Sequence, residues 1–328
     1  MKRIALLYTH HCRPISMAAI LDVFESVNAA CLQEHGEKAF DIHLVTDEQM
    51  GETNIYGVYQ PQLLSDMQAA DLVLIPAFNP VDMPEALGAN RSFITWICNQ
   101  YQQGAEVASF CTGAFLLAST GLLNGRRATT HVFSADAFSA TFPEVIIEPE
   151  AVLTHDAGVY TSGGATSTFH LLLWLIEKYC GRDKAVYIAK LFAIDMDRSK
   201  QSYFARFLPT RNHQDELVTS AQQRMESQYN QSTTVEEIIG DIPSSRRNFV
   251  RRFKHATGLT PIEYLQRTRI EAAKNLLEQT NQSVSEIMFH SGYNDMKSFR
   301  QVFKKGVGLT PTEYRDKFNA GQKVAARV

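Results

Sequence analysis

The chain has few cysteines and no pattern among them. Its five (Cys12, Cys31, Cys98, Cys111 and Cys180) are an odd number with no CxxC spacing, so neither a zinc framework nor a disulfide ladder is expected. Long apolar runs are also missing. The longest, 171–176, is far too short to span a bilayer. The opening MKRIALLYTHHCRP carries one short apolar run interrupted by two histidines, which reads as a buried strand rather than a signal peptide. Net charge is only −3. These absences point to a soluble, cytoplasmic protein with no membrane partner, no metal site and no cofactor.

The chain does have apolar residues in quantity. At 328 residues and 45% hydrophobic content it can build two or three cores. Its charge is unevenly spread. Residues 1–210 hold 14 Lys/Arg against 22 Asp/Glu, a balance of −8, whereas residues 211–328 hold 18 against 13, a balance of +5. An acidic front and a basic rear imply different partners for the two parts.

In the front part, the runs 4–8, 42–45, 72–75 and 107–110 read as fully buried strands. Amphipathic stretches such as 18–31 and 92–102 lie between them. Strands alternating with helices predict a doubly wound parallel α/β domain. One turn stands out. Residues 105–110 read as a strand, Cys111-Thr112-Gly113-Ala114 as a tight turn and 115–119 as the start of a helix. A side chain on such a turn stands at the carboxyl edge of the sheet, where α/β folds bind ligands. The pattern is that of a nucleophile elbow with cysteine in place of serine, and the following helix N-terminus would favour the thiolate.

The rear part repeats itself at an interval of fifty residues. Phe249, Phe253, Lys254, Gly258, Leu259, Thr260, Pro261, Glu263 and Tyr264 recur as Phe299, Phe303, Lys304, Gly308, Leu309, Thr310, Pro311, Glu313 and Tyr314. Each copy reads as short helix, turn, second helix, the helix-turn-helix plan. The first has its helices near 234–239 and 245–257, the second at 284–290 and 296–306. The phenylalanines, spaced i and i+4, face the core. The opposite faces then present Arg246, Arg247, Arg251 and Lys254 in one copy, and Lys297, Arg300, Gln301 and Lys304 in the other. Long donors on a helix suit the major groove of DNA. A basic face on a single helix is usually just solvated; two copies in matching context point to double-stranded promoter DNA. The stretch from Pro261 to about 278 predicts a connecting helix, and its roughly 27 Å could hold the two units about one DNA turn apart.

These motifs carry two resemblances. CTGAFLLASTGLLNGRRATTH, starting at Cys111, and the TSGG at 161–164 resemble the ThiJ/PfpI-type, class I glutamine amidotransferase-like domain, over roughly residues 1–208. RRFKHATGLTPIEYLQRTRIEAAKNLL and SVSEIMFHSGYNDMKSFRQVFKKGVGLTPTEYR resemble the AraC/XylS DNA-binding domain, over about 216–320. Residues 209–215 have the composition of a linker. The joined architecture implies a one-component transcription regulator, an activator in which the front domain binds a small-molecule effector and forms a homodimer, while the rear domain binds DNA and can meet RNA polymerase.

The first resemblance also implies an effector pocket at Cys111, Thr112, His131, Ser16, Phe78, Gly163 and Gly164. Enzymes of that fold carry a carboxylate beside the cysteine, where this chain has Ser16. They have small glycines after the third core strand, where this chain has Pro76-Ala77-Phe78-Asn79-Pro80. A catalytic set is therefore not expected. The alternative is a cysteine hydrolase or amidase with a DNA-binding tail.

Overall fold

The computed structural model describes residues 1–47, 55, 58–79, 82–164, 166–198, 200–207, 209–211, 213–231, 234–238, 240 and 244–319. Pro80, Leu208, Asn212, Ile239 and Ala320, all within stretches used in the sequence reading, lie outside them. The chain divides into two compact units, Met1–Gln201 and Ser202–Val328.

The front unit is built on a seven-stranded sheet. Its strands are β1 (Lys2–Leu7), β2 (Phe40–Thr46), β3 (Gln62–Leu63), β4 (Leu72–Ile75), β5 (Glu106–Phe110), β8 (Leu153–Asp156) and β9 (Val159–Ser162), in the order β3-β2-β1-β4-β5-β9-β8. Neighbours are parallel except β8 and β9, which form an antiparallel hairpin at one edge. A two-stranded accessory sheet joins β6 (Arg127–Ala128) and β7 (Ile146–Ile147).

Side chains alternate along each central strand, and this alternation divides the core in two. Ile4, Leu6, Leu72 and Leu74 face helices α1 (Pro14–His35), α6 (Ser167–Cys180) and α7 (Arg182–Leu191). Ala5, Leu7, Val73 and Ile75 face the opposite layer, which includes α3 (Arg91–Gln102) and α4 (Ala114–Ser119). The doubly wound fold expected from the apolar runs is present, with the antiparallel edge added. Helix α1 has the length and composition to cross a membrane. Its buried face, which includes Ile20, Val23, Phe24 and Val27, packs in the first of these cores.

The rear unit is helical. Its elements are α8 (Glu216–Gln228), α9 (Val235–Ile238), α10 (Arg246–Thr257), α11 (Pro261–Gln279), α12 (Val284–His290), α13 (Met296–Val307) and α14 (Pro311–Phe318). Local chemistry sets the boundaries. Asp215, Ser245, Thr260, Ser283, Asp295 and Thr310 each cap a helix through a side-chain oxygen. Thr260/Glu263, Ser283/Glu286 and Thr310/Glu313 form full capping boxes. Gly258 and Gly308 close the two repeat helices in the left-handed conformation.

Helix α11 runs through both halves of this unit. Tyr264 and Leu265, near its start, pack with Phe249 and Phe253. Ile270, Ala273 and Leu277, further along, pack with Phe299 and Phe303. The sequence reading set the front domain at 1–208 and a linker at 209–215. The structural division falls earlier because residues after Gln201 pack on the helical unit. Ser202 Oγ donates to the Val307 carbonyl at 3.0 Å, and the Phe207 ring meets Tyr264 edge-on at 5.1 Å.

Candidate functional site

Cys111 directly follows β5 and opens a single 3₁₀ turn, Cys111–Gly113, that leads into α4. Its φ of 54° is left-handed, which is unusual for a residue with a side chain. Gly113 is required here: a Cβ on it would lie 2.5 Å from the Pro76 carbonyl oxygen. The elbow geometry is thus realised, with the turn pressed against the loop that follows β4.

That loop is tied down by the residues expected to line the pocket. Ser16 Oγ accepts the Ala77 N–H at 3.1 Å. Thr112 Oγ1 accepts the Phe78 N–H at 2.9 Å and donates to the Phe78 carbonyl at 3.2 Å. The Phe78 ring is buried in the core on the α3/α4 side. The Ala77 and Phe78 N–H groups of this loop are therefore engaged internally. A developing oxyanion needs such donors free and aimed at it.

Cys111 is 1% exposed. Burial pushes its pKa up to about 11, against smaller opposing effects from the Thr112 N–H and the Arg13 charge. The sequence reading expected the helix N-terminus to favour the thiolate. The structure corrects that: desolvation outweighs the donors around the thiol, and α4, at six residues, offers only a short dipole.

His131 is half-buried, and its Nδ1 accepts the Phe133 N–H at 3.1 Å. Burial, and then Arg13, hold its pKa below the usual histidine value. No hydrogen bond joins Cys111 to His131 among the described residues. His131 instead borders the Gly163-Gly164 wall, where a Cβ on Gly164 would stand 3.3 Å from its ring. The Thr130 hydroxyl, one residue before it, donates to the Cys111 carbonyl at 2.9 Å.

Two residues of this region went unnoticed in the sequence. Gln201 is buried and organises the wall: its Oε1 accepts the Gly164 N–H at 2.8 Å, and its Nε2 donates to the Thr130 and Pro149 carbonyls, each at 3.0 Å. A Cβ on Gly163 would collide with this side chain. Arg13, at the N-cap of α1, is the other. Its charge bears on both Cys111 and His131. Neither lies in a motif, so only the tertiary structure reveals them.

In the rear unit, Arg246, Arg247, Arg251, Lys254, Lys297, Arg300, Gln301 and Lys304 are all exposed, while Phe249, Phe253, Phe299 and Phe303 are buried beneath them. Arg247, Arg251 and Lys254 share one stripe of α10, at i, i+4 and i+7; Lys297, Gln301 and Lys304 occupy the same positions on α13. Arg252 is different: both ends of its guanidinium bind Asp215, at 2.8 Å each, so it fastens α10 to the start of α8. Arg246 ion-pairs with Glu236 at 2.5 Å.

Comparison with known proteins gives two family matches. Residues 2–178 match the DJ-1/PfpI family, and residues 242–317 match a helix-turn-helix domain. The HTH-type transcriptional regulator GbdR of Pseudomonas aeruginosa is 26% identical over 257 residues, covering 76% of this chain and 69% of that relative. The HTH-type transcriptional regulator GlxA of Rhizobium meliloti is 26% identical over 219 residues, covering 65% of each. Among solved structures, an AraC family transcriptional regulator from Pseudomonas putida aligns with a TM-score of 0.47 at 17% identity, over 58% of this chain and all of that one. With exposed donors on two matched helices and relatives named as regulators, the chain belongs to the DJ-1/PfpI family, carries an AraC-type helix-turn-helix domain, and is a DNA-binding transcription regulator.

Proposed function

We propose that the front unit is a sensor rather than an enzyme. It binds a small metabolite at the Cys111–His131 region, forms a homodimer, and governs how the rear unit engages promoter DNA to activate transcription with RNA polymerase in the cytoplasm. The observation that carries this reading is the state of the elbow. It has the shape of a nucleophile site, yet the Ala77 and Phe78 N–H donors of the loop beside it are engaged by Ser16 and Thr112, and no base is hydrogen-bonded to its thiol among the described residues. Such a site is suited to holding a ligand and poorly suited to turning one over.

An effector acts by binding one conformation of the protein better than another, and its leverage is limited to that difference in affinity. The rear unit contributes the eight exposed groups named above as its DNA contacts. The test pairs a reporter promoter with gel shifts of purified protein. A metabolite that changes operator affinity or transcription, with no turnover of that metabolite, supports the reading. Hydrolysis of the metabolite that requires Cys111 sinks it in favour of the hydrolase.

A further inference from the structure

Arg13 sits where a ligand-binding cation would be placed. Its backbone is pinned to the loop beside the elbow: its N–H donates to the Ala77 carbonyl at 2.7 Å, and its own carbonyl accepts the Ser16 and Met17 N–H groups at 2.9 and 3.2 Å. No side-chain hydrogen bond or ion pair engages its guanidinium among the described residues, and it is only partly exposed. Two other arginines of the same unit behave differently. Arg126 binds the Tyr101 hydroxyl and the Asp156 carbonyl, and Arg198 binds Thr166 and Ser167. A guanidinium with no protein partner keeps its donor fork open to an anion.

Among the described residues no carboxylate pairs with it. Its charge bears on the Cys111 thiol and on the His131 ring, and burial disfavours the charged form of each. With Nδ1 accepting the Phe133 N–H, the neutral ring carries its hydrogen on Nε2, a second donor. A further unpartnered polar group lies at the neighbouring strand end. Ser162 ends β9 opposite Phe110, one residue before Cys111. Its hydroxyl is fully buried and has no hydrogen-bond partner among the described residues.

We propose that this region is the binding site for a small carboxylate, with the carboxylate held by the Arg13 guanidinium and the body of the ligand against Cys111, His131 and Gly164. This rests on the reading of the front unit as a sensor and adds the ligand's chemical class. A carboxylate matches the guanidinium fork and its single charge. A phosphate dianion would need further donors. Helix α1 is poor in them, because Pro14 has no N–H and those of Ser16 and Met17 are turned to the Arg13 carbonyl. The close approach of Gly164 to His131 favours a small ligand.

The experiment uses the full chain as wild type, Arg13→Gln and Arg13→Lys. Calorimetry and thermal shift are run with two- to five-carbon acids paired with their primary amides (acetate and acetamide, glycine and glycinamide, succinate and succinamide), and with inorganic phosphate. At least one acid should bind wild type ten-fold or more tightly than its amide. Arg13→Gln should erase that preference and Arg13→Lys keep part of it, while both retain operator binding, which reports an intact fold. Acids and amides that bind alike, a preference that survives Arg13→Gln, or phosphate outcompeting every acid through Arg13 would each overturn the proposal. The sensor reading fails separately. An acid held by Arg13 that leaves reporter output unchanged removes the sensor and keeps the site. An uncharged inducer indifferent to Arg13→Gln does the reverse.

Discussion

The Ser16 hydroxyl accepts the Ala77 N–H at 3.1 Å, and both residues are buried. This one contact decides much about the front unit. It fills the place beside the elbow with a neutral group and engages a donor that catalysis would need. Ser16→Ala leaves that buried N–H unpaired, which should cost about 1–3 kcal/mol and lower the midpoint of thermal unfolding. Hydrolase activity should not appear, because Thr112 still holds the next N–H. An unchanged midpoint would show that the loop does not depend on this latch.

The proposed DNA contacts are expected to divide into readers and anchors. Arg247→Ala or Arg251→Ala should weaken operator binding by about 1–3 kcal/mol where the side chain reads a base. Lys304→Ala, if it meets phosphate, should weaken all sequences alike and reduce the slope of log affinity against log salt by about one. Gel shifts over a salt series separate the two classes. Full affinity in all three variants would remove α10 and α13 from the groove.

Gly292 joins the two halves of the rear unit. Its φ is +79°, and a Cβ would lie 2.1 Å from the Tyr229 carbonyl and 2.9 Å from Arg269 Nε. Arg269 fastens the same place, donating to the Tyr229 and Gln231 carbonyls at 2.9 Å each and lying over the Tyr293 ring. At Gly258 the left-handed φ is the same, but a Cβ would meet open space. Gly258→Ala should therefore cost about 1–2 kcal/mol from backbone strain alone. Gly292→Ala should cost clearly more and also weaken DNA binding by disturbing the spacing of α10 and α13. Equal unfolding midpoints for the two variants would contradict this.

The rear unit was legible in the sequence almost to the residue, because its signals are local. A cap, a Pro at N1, an i/i+4 phenylalanine pair and a closing glycine recur fifty residues apart, and each sets its own helix boundary. The central strands were legible for the same reason. The pocket was legible only in part. Cys111 announced itself through the strand-turn-helix pattern. Gln201 lies 37 residues beyond the Gly164 N–H it binds and looks like any surface glutamine. Arg13 was hidden by its setting, since an arginine before a proline carries no pattern of its own. The residues after Gln201 were read as part of the front domain because the proline and polar run at 209–215 looked like the natural break. Their true allegiance is set by long-range contacts such as Ser202 with Val307.

That allegiance gives a prediction about fragments. A piece beginning at Ser202 keeps the Ser202–Val307 hydrogen bond, the Tyr203–Phe318 ring contact and the Phe207–Tyr264 contact. A piece beginning at residue 214 loses all three. Both should bind operator, more weakly than the whole chain if dimerisation belongs to the front unit. The longer fragment should have the higher unfolding midpoint. Matching midpoints would place the boundary back near residue 208.

Cys111 offers the sharpest separation of sensor from enzyme. Its thiol is buried with a pKa raised to about 11, so alkylation by iodoacetamide at pH 7–8 should be far slower than for an exposed cysteine and should speed up as pH nears 11. The raised value also sets the sign of its effect on stability. Between the unfolded thiol value, about 8.5, and the folded one, the native state holds the proton more tightly, so stability falls as pH rises through that window. Cys12 and Cys180 are raised to about 11 as well, so the fall must be read as the difference from Cys111→Ser, which lacks its part of it. In cells, Cys111→Ser should preserve the effector response, at altered affinity at most, because size and polarity are roughly kept. Cys111→Trp should fill the region and abolish the response while leaving operator binding intact. Rapid alkylation at neutral pH, together with loss of the response in Cys111→Ser and turnover of an amide by wild type only, would hand the site to the hydrolase.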